Sequence, residues 1–147
     1  MYSKTLGLSL ALLVLCSAIT PHQAWEIPDV LKKQVKKLHD RCMASTGVTE
    51  ELMTEAHKGN LPNDPTFKCF LHCMFETVGL MDSDNVMHLE SLVEVLPVEI
   101  HPKILNLVDA CGTKKGVDGC DTAYLSVQCY IETDRPFIKA AVNDLLG

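Results

Sequence analysis

Apolar residues return every three or four positions along most of this chain, and the breaks between runs fall at glycine, proline or aspartate. Leu31, Val35, Leu38 and Cys42 form one such stripe behind Pro28 and Asp29. It predicts a first helix that stops near Gly47. Thr49 is placed to cap a second, EELMTEAHK, which ends at Gly59. Asp64-Pro65 opens a third, because aspartate accepts from the unpaired N–H groups of a helix start and proline suits the first turn. That helix carries CFLHCMF, Cys69 to Phe75, and stops at Gly79. After the turn MDSDN comes HLESLVEVL, a fourth helix closed by Pro97. A fifth runs from about Pro102 to Cys111, and a sixth from Asp118 to about Glu132. Strand-type alternation is missing, so six short helices predict an all-α domain.

The first residues change the compartment. Met1 to Lys4 carries one positive charge, Thr5 to Leu15 is an apolar run, and Cys16, Ser17 and Ala18 are small. This order predicts a secretory signal peptide over 1–24, with cleavage between 18 and 24, and residues 25–147 as a single domain. The run is too short to span a bilayer. Loss of Lys4 with the leader takes the formal charge from −6 to −7. The densest lysine run, KKQVKK at 32–37, is interleaved with Leu31, Val35 and Leu38, which makes it a solvated helix face. Neither nucleic-acid binding nor membrane insertion is expected.

Losing Cys16 with the leader leaves six cysteines: 42, 69, 73, 111, 120 and 129. An even count in a small secreted chain predicts disulfides. CFLHCMF also raises metal and redox readings. Zinc needs four ligands, and this C-x₃-C pair has no second pair at ligand spacing; redox motifs use C-x-x-C. No metal or cofactor is therefore expected, and His72 is expected on an exposed helix face. Side chains at i and i+4 hold their Cβ atoms about 5–6 Å apart, against about 3.8 Å in a disulfide. Cys69 and Cys73 should part company. Cys120 and Cys129 fall on opposite faces of their helix and should also bond outward. Ten of the fifteen connectivities then remain open.

The spacing Cys42-x₂₆-Cys69-x₃-Cys73-x₃₇-Cys111-x₈-Cys120-x₈-Cys129 resembles the six-cysteine signature of the insect odorant-binding proteins, which include the pheromone-binding proteins. LHDRC, TGVTEE, HLESL and CDTAY agree with that family locally. The resemblance implies the pairs Cys42–Cys73, Cys69–Cys120 and Cys111–Cys129. It implies a six-helix, disulfide-knit fold around an internal hydrophobic cavity, since bridges can hold helices apart around space that would otherwise be costly to leave unfilled. Aligned on the cysteines, the implied wall is Met74, Phe75, Leu89, Leu92, Val93, Leu96, Ile104, Leu105, Leu107, Val127 and Tyr130. The implied function is that of a secreted extracellular carrier of small hydrophobic volatile ligands, odorants or pheromones, in sensillar lymph. Delivery to an olfactory receptor is implied with it, and a homodimer is left open.

The segment after Cys129 is apolar where a polar end would serve: Ile138, Ala141, Val142 and Leu145 share one helical face. It is expected to act either as a docked terminal helix or as a lid, with Phe137 and Ile138 the first ligand contacts. A pH-dependent lid is one reading. His88 and His101 could charge near pH 6, and Asp134 and Asp144 could lose charge lower down.

Catalysis is not expected. His39-Asp40-x-Cys42 resembles the HDxC of secreted phospholipases A2, but the cysteine pair and glycine-rich calcium loop those enzymes need are missing. Serine- and metal-hydrolase signatures are absent as well. The rival is a secreted helical signalling or structural protein with the same bridges around a solid core. It predicts no uptake of an apolar dye.

Overall fold

The computed structural model describes residues 25–146, so the leader reading lies outside the described residues. Helix α1, Asp29–Thr46, closes on Gly47, whose φ of 72° is the left-handed conformation that a Cβ would disfavour. Thr49 Oγ1 accepts from Leu52 N to start α2, Glu50–His57. Asp64 Oδ1 accepts from Thr66 N at 2.8 Å and Phe67 N at 3.2 Å to start α3, Pro65–Thr77.

Between α3 and the next long helix the chain departs from expectation. MDSDN folds back through an isolated bridge between Met81 and Met87. Asp82 Oδ1 accepts from the backbone N–H of Asp84 and of Val86, both at 2.9 Å. HLESLVEVL is not an α-helix but a 3₁₀ segment, Leu89–Glu94, followed by a short 3₁₀ turn, Val98–Ile100. The cause is local. The segment is confined between the bridge and Pro97, which pushes Leu96 away from helical geometry, and Val93 and Val95 are β-branched. A three-residue repeat sets Leu89 and Leu92 in one row and Val93 in the next.

The fifth predicted helix is α4, His101–Cys111. The sixth is α5, Gly119–Leu146, which runs well beyond Glu132. Asp118 Oδ1 accepts from Asp121 N at its start. Its axis breaks at Asp134, where φ is −148° and ψ is 73°, and Pro136 follows. Asp134 Oδ1 accepts from Phe137 N at 3.1 Å. The aspartate therefore caps a second helical half in the way Asp64 caps α3. The segment after Cys129 is thus helical, the second half of α5. Among the described residues, no helix is long and apolar enough to cross a membrane.

The cysteines pair as Cys42–Cys73, Cys69–Cys120 and Cys111–Cys129, with Cα separations of 5.8, 4.4 and 5.9 Å. Cys69 and Cys73 leave α3 for α5 and α1 respectively, and Cys111 ties the end of α4 to α5. Two apolar clusters result. One is built by α1, α2 and α3 around Leu38, Cys42, Val48, Met53, Phe67 and Phe70. The other is built by the Met81–Met87 turn, the 3₁₀ segments, α4 and α5. Half-buried Leu71 of α3 packs against both.

His72 is not on an open face. Its side chain keeps only 25% exposure, and it lies over the start of α5. A Cβ on Gly119 would come within 2.5 Å of His72 Nε2 and of Asn85 Oδ1, so only glycine lets α3, the MDSDN turn and α5 meet there.

Candidate functional site

The second cluster is the candidate site. Its buried members include Leu89, Ile104, Leu107 and Tyr130 among the implied wall residues. Phe75, Leu92, Val93, Leu96, Val127, Phe137 and Ile138 pack against them with part of their surface still exposed. Side chains more than sixty positions apart therefore converge on one apolar region. Two of the implied wall residues do not join it. Met74 faces the other way on α3 and packs against the α1–α2–α3 cluster. Leu105 stands on the outer face of α4 with 45% of its surface exposed. One α-helical turn carries Ile104 and Leu107 inward, and Leu105 sits about 100° round from Ile104.

The cluster also holds residues that the cysteine alignment did not supply. Met81, Met87, Ile100 and Ala123 are buried in it, and Trp25, Leu71 and Val108 pack on it. Met81 and Met87 become neighbours only because the MDSDN turn closes, and Ile100 only because its segment is 3₁₀. Methionine suits such a wall, since its flexible thioether adapts to irregular shapes.

Loop 112–118 fixes the floor. Met87 N donates to Thr113 Oγ1 at 2.8 Å, and Lys115 Nζ donates to the carbonyls of Asp84 and Asn85 at 2.7 and 3.1 Å. Ser126 and Thr122, both buried on α5, accept from Lys114 N and Gly116 N. These bonds satisfy polar groups that burial would otherwise penalise. Tyr130 differs. It is 4% exposed, and its hydroxyl is buried without a hydrogen-bond partner among the described residues. Burial, reinforced by the negative charge of Glu90, pushes its phenol up to about 12.

The terminal half of α5 is docked by charge as well as by apolar contact. Trp25 meets Phe137 edge to face at 5.9 Å. Asp144 accepts from Ile27 N and from Lys32 Nζ, both at 2.8 Å. Burial opposes ionisation of Asp144, yet those two hydrogen bonds outweigh it and hold the carboxyl below the ordinary carboxylate value. Lys103 Nζ, 2.7 Å away, does the same for Asp134. Neither carboxylate changes charge near neutral pH. His88 is shifted in the opposite direction. Asp82 Oδ2 at 2.8 Å and Glu90 Oε1 at 3.2 Å flank its two ring nitrogens, Asp82 with the larger effect, and raise its pKa. That charge braces the MDSDN turn rather than the terminal helix. His101 Nε2 lies 2.9 Å from the Leu96 carbonyl.

Two open depressions flank the terminal helix. One is lined by Pro136, Lys139, Ala140, Asn143 and Asp144, the other by Lys32, Lys33, Lys36, Asn143, Asp144, Leu145 and Leu146. Their rims are charged, and they lie outside the apolar cluster.

Known proteins match this chain over nearly all the described fold. The model of the PBP/GOBP family matches residues 24–133. General odorant-binding protein 69a of Drosophila melanogaster is 49% identical over 148 residues, covering 100% of both chains. Among solved structures, a medfly odorant-binding protein is 43% identical with a TM-score of 0.71, covering 78% of this chain and 99% of its own. Odorant-binding protein 7 of Anopheles gambiae, solved in complex with an azo compound, is 33% identical with a TM-score of 0.74, covering 82% and 98%. That protein has four disulfide bridges.

Proposed function

The chain belongs to the PBP/GOBP family, and from that premise we propose that it works as a secreted carrier which holds one small hydrophobic molecule in the apolar cluster of α4, α5 and the 3₁₀ segments. Odorant-binding proteins are soluble carriers, and the chemistry asked of this one is burial alone. An apolar molecule leaves water at a gain of about 25 cal/mol per Å² of surface covered. No bond is made or broken in the guest. The observation that carries the assignment is the convergence of nine of the eleven implied wall residues, with Phe137 and Ile138 of the terminal segment, on one cluster braced by Cys111–Cys129.

Phe137 and Ile138 close the cluster from the terminal half of α5, with Trp25 against Phe137. Leu105 and Met74 are not part of the proposed contact surface. The leader at 1–24 would place the protein outside the cell. Release of the guest to an olfactory receptor in sensillar lymph is the physiological setting we propose, with a monomer sufficient for binding. The complex of the Anopheles gambiae relative with an azo compound fits a wall of aliphatic and aromatic side chains here also.

The test is a displacement panel on oxidised protein with a bound fluorescent apolar probe. Alcohols, aldehydes and esters of medium chain length should displace it. Failure of the protein to take up any apolar probe would leave the helical signalling protein with a solid core as the better account.

A further inference from the structure

The bare hydroxyl of Tyr130 sets the chemistry of the guest. Cys129, the residue before it, is bridged to Cys111, so the backbone that carries the ring is tied to α4 as well as to α5. The ring is 4% exposed, and its neighbours in the cluster are Leu89, Ile104, Leu107 and the two methionines Met81 and Met87. The oxygen is buried, and among the described residues nothing accepts its proton. A buried hydroxyl left this way is costly, and it is uncommon in folded proteins unless a water or ligand completes it. The other buried hydroxyls of α5, Thr122 and Ser126, are both engaged with backbone N–H groups of the loop before it.

Resting on the carrier reading, we propose that the Tyr130 hydroxyl donates a hydrogen bond to an uncharged oxygen of the guest. The guest class is thus a medium-chain ketone, aldehyde, ester or alcohol rather than a hydrocarbon or a carboxylate. The phenol keeps its proton throughout the physiological range, which makes it a donor. Glu90 lies close enough to oppose a second negative charge beside it. Lys103 is held by Asp134, and His88 by Asp82 and Glu90, while Lys139 of α5 stays exposed to solvent. A carboxylate guest would therefore be buried without a counter-charge. Tyr130 Oη is the buried, unpartnered polar atom of this cluster, so a single oxygen on the guest suffices.

The experiment compares three molecules of equal length, n-undecane, 2-undecanone and undecanoate, as competitors of N-phenyl-1-naphthylamine on oxidised wild-type protein and on Tyr130→Phe. In the wild type, 2-undecanone should compete about tenfold better than undecane, the worth of one buried hydrogen bond. Undecanoate should fall below the ketone. In Tyr130→Phe the ketone advantage should shrink to within about twofold, with undecane unchanged. An advantage that survives in Tyr130→Phe, or that is absent in the wild type, overturns the proposal while leaving the carrier intact. Absence of competition by all three on the wild type overturns both. The infrared carbonyl stretch of bound 2-undecanone gives a readout that needs no variant. It should move to lower wavenumber than in hexane, and an unshifted band refutes the hydrogen bond.

Discussion

Asp144 is the residue on which docking of the terminal helix depends, and its removal should be felt at the other end of the chain. Its carboxylate is largely buried, with 19% of the side chain exposed, and accepts from Ile27 N and Lys32 Nζ, both at 2.8 Å. Ile27 itself is 2% exposed. In Asp144→Ala, the Ile27 N–H loses its partner and the Lys32 ammonium keeps only Glu26, at 3.6 Å. A hydrogen bond to a charged group contributes about 1.5–3 kcal/mol, and an orphaned donor costs about 1–3 kcal/mol. These overlap, and water can reach part of the site. We take about 2 kcal/mol as the net loss. With an unfolding entropy of about 2.1 cal/mol/K per residue over some 120 residues, Tm should fall by about 8 °C. Asp144→Asn keeps an acceptor for Ile27 and loses only the charge, so about half that shift is expected.

Trp25 makes the assay local as well as global. It is the only tryptophan, and it packs edge to face on Phe137. Undocking should red-shift its emission. Asp144 is ionised in the folded protein below the ordinary carboxylate value. Its contribution is therefore complete above about pH 4 and is lost only as pH falls through the depressed folded value. Trp25 emission should stay flat from pH 7.4 to 5 in the wild type. An unchanged Tm and unchanged emission in Asp144→Ala would refute the clasp. A wild-type emission shift between pH 7.4 and 5 would refute the argument about its charge.

Two further outcomes follow from the same geometry. Ile104→Ala removes a residue 2% exposed in the ligand cluster and should cost about 2–5 kcal/mol in chemical denaturation, whereas Leu105→Ala, beside it but 45% exposed, should cost under about 0.5 kcal/mol and leave probe affinity within about twofold. The raised pKa of His88 means that its bracing of the MDSDN turn is complete below its ordinary value of 6.5 and fades as pH rises through the folded value. Melting temperature should therefore decline as pH rises above about 6.5, and His88→Gln should flatten that decline.

Helix starts were legible wherever the signal is short-range. Thr49 and Asp64 cap the helices assigned to them because a cap needs only its own next three residues. Asp134-Arg135-Pro136 carries the same kind of signal inside a continuous helical pattern, and it starts the second helical half of α5. HLESLVEVL carries helix-like periodicity, but its geometry is set by Pro97 and by the Met81–Met87 bridge. Neither acts through the period of the side chains. Spacing parted Cys69 from Cys73, and resemblance supplied the partners. Alignment on cysteines marks which stretch faces the site but not which residue, so Leu105 entered the wall with Ile104 although a helix turns about 100° between them. Met81, Met87 and Ile100 carry no such mark in the sequence, because only the closed turn and the 3₁₀ geometry bring them in.

The claim that the α4–α5 cluster, and not the α1–α2–α3 cluster, receives the guest is open to one direct measurement. Methyl-resolved NMR of oxidised protein with a bound medium-chain ketone should show ligand contacts and shifts at Leu89, Ile104, Leu107 and Val127. The methyl groups of Leu38, Val48 and Leu52 in the other cluster should remain where they are. Contacts confined to Leu38, Val48 and Leu52, or to Leu145 and Leu146 beside the terminal depressions, would contradict the account.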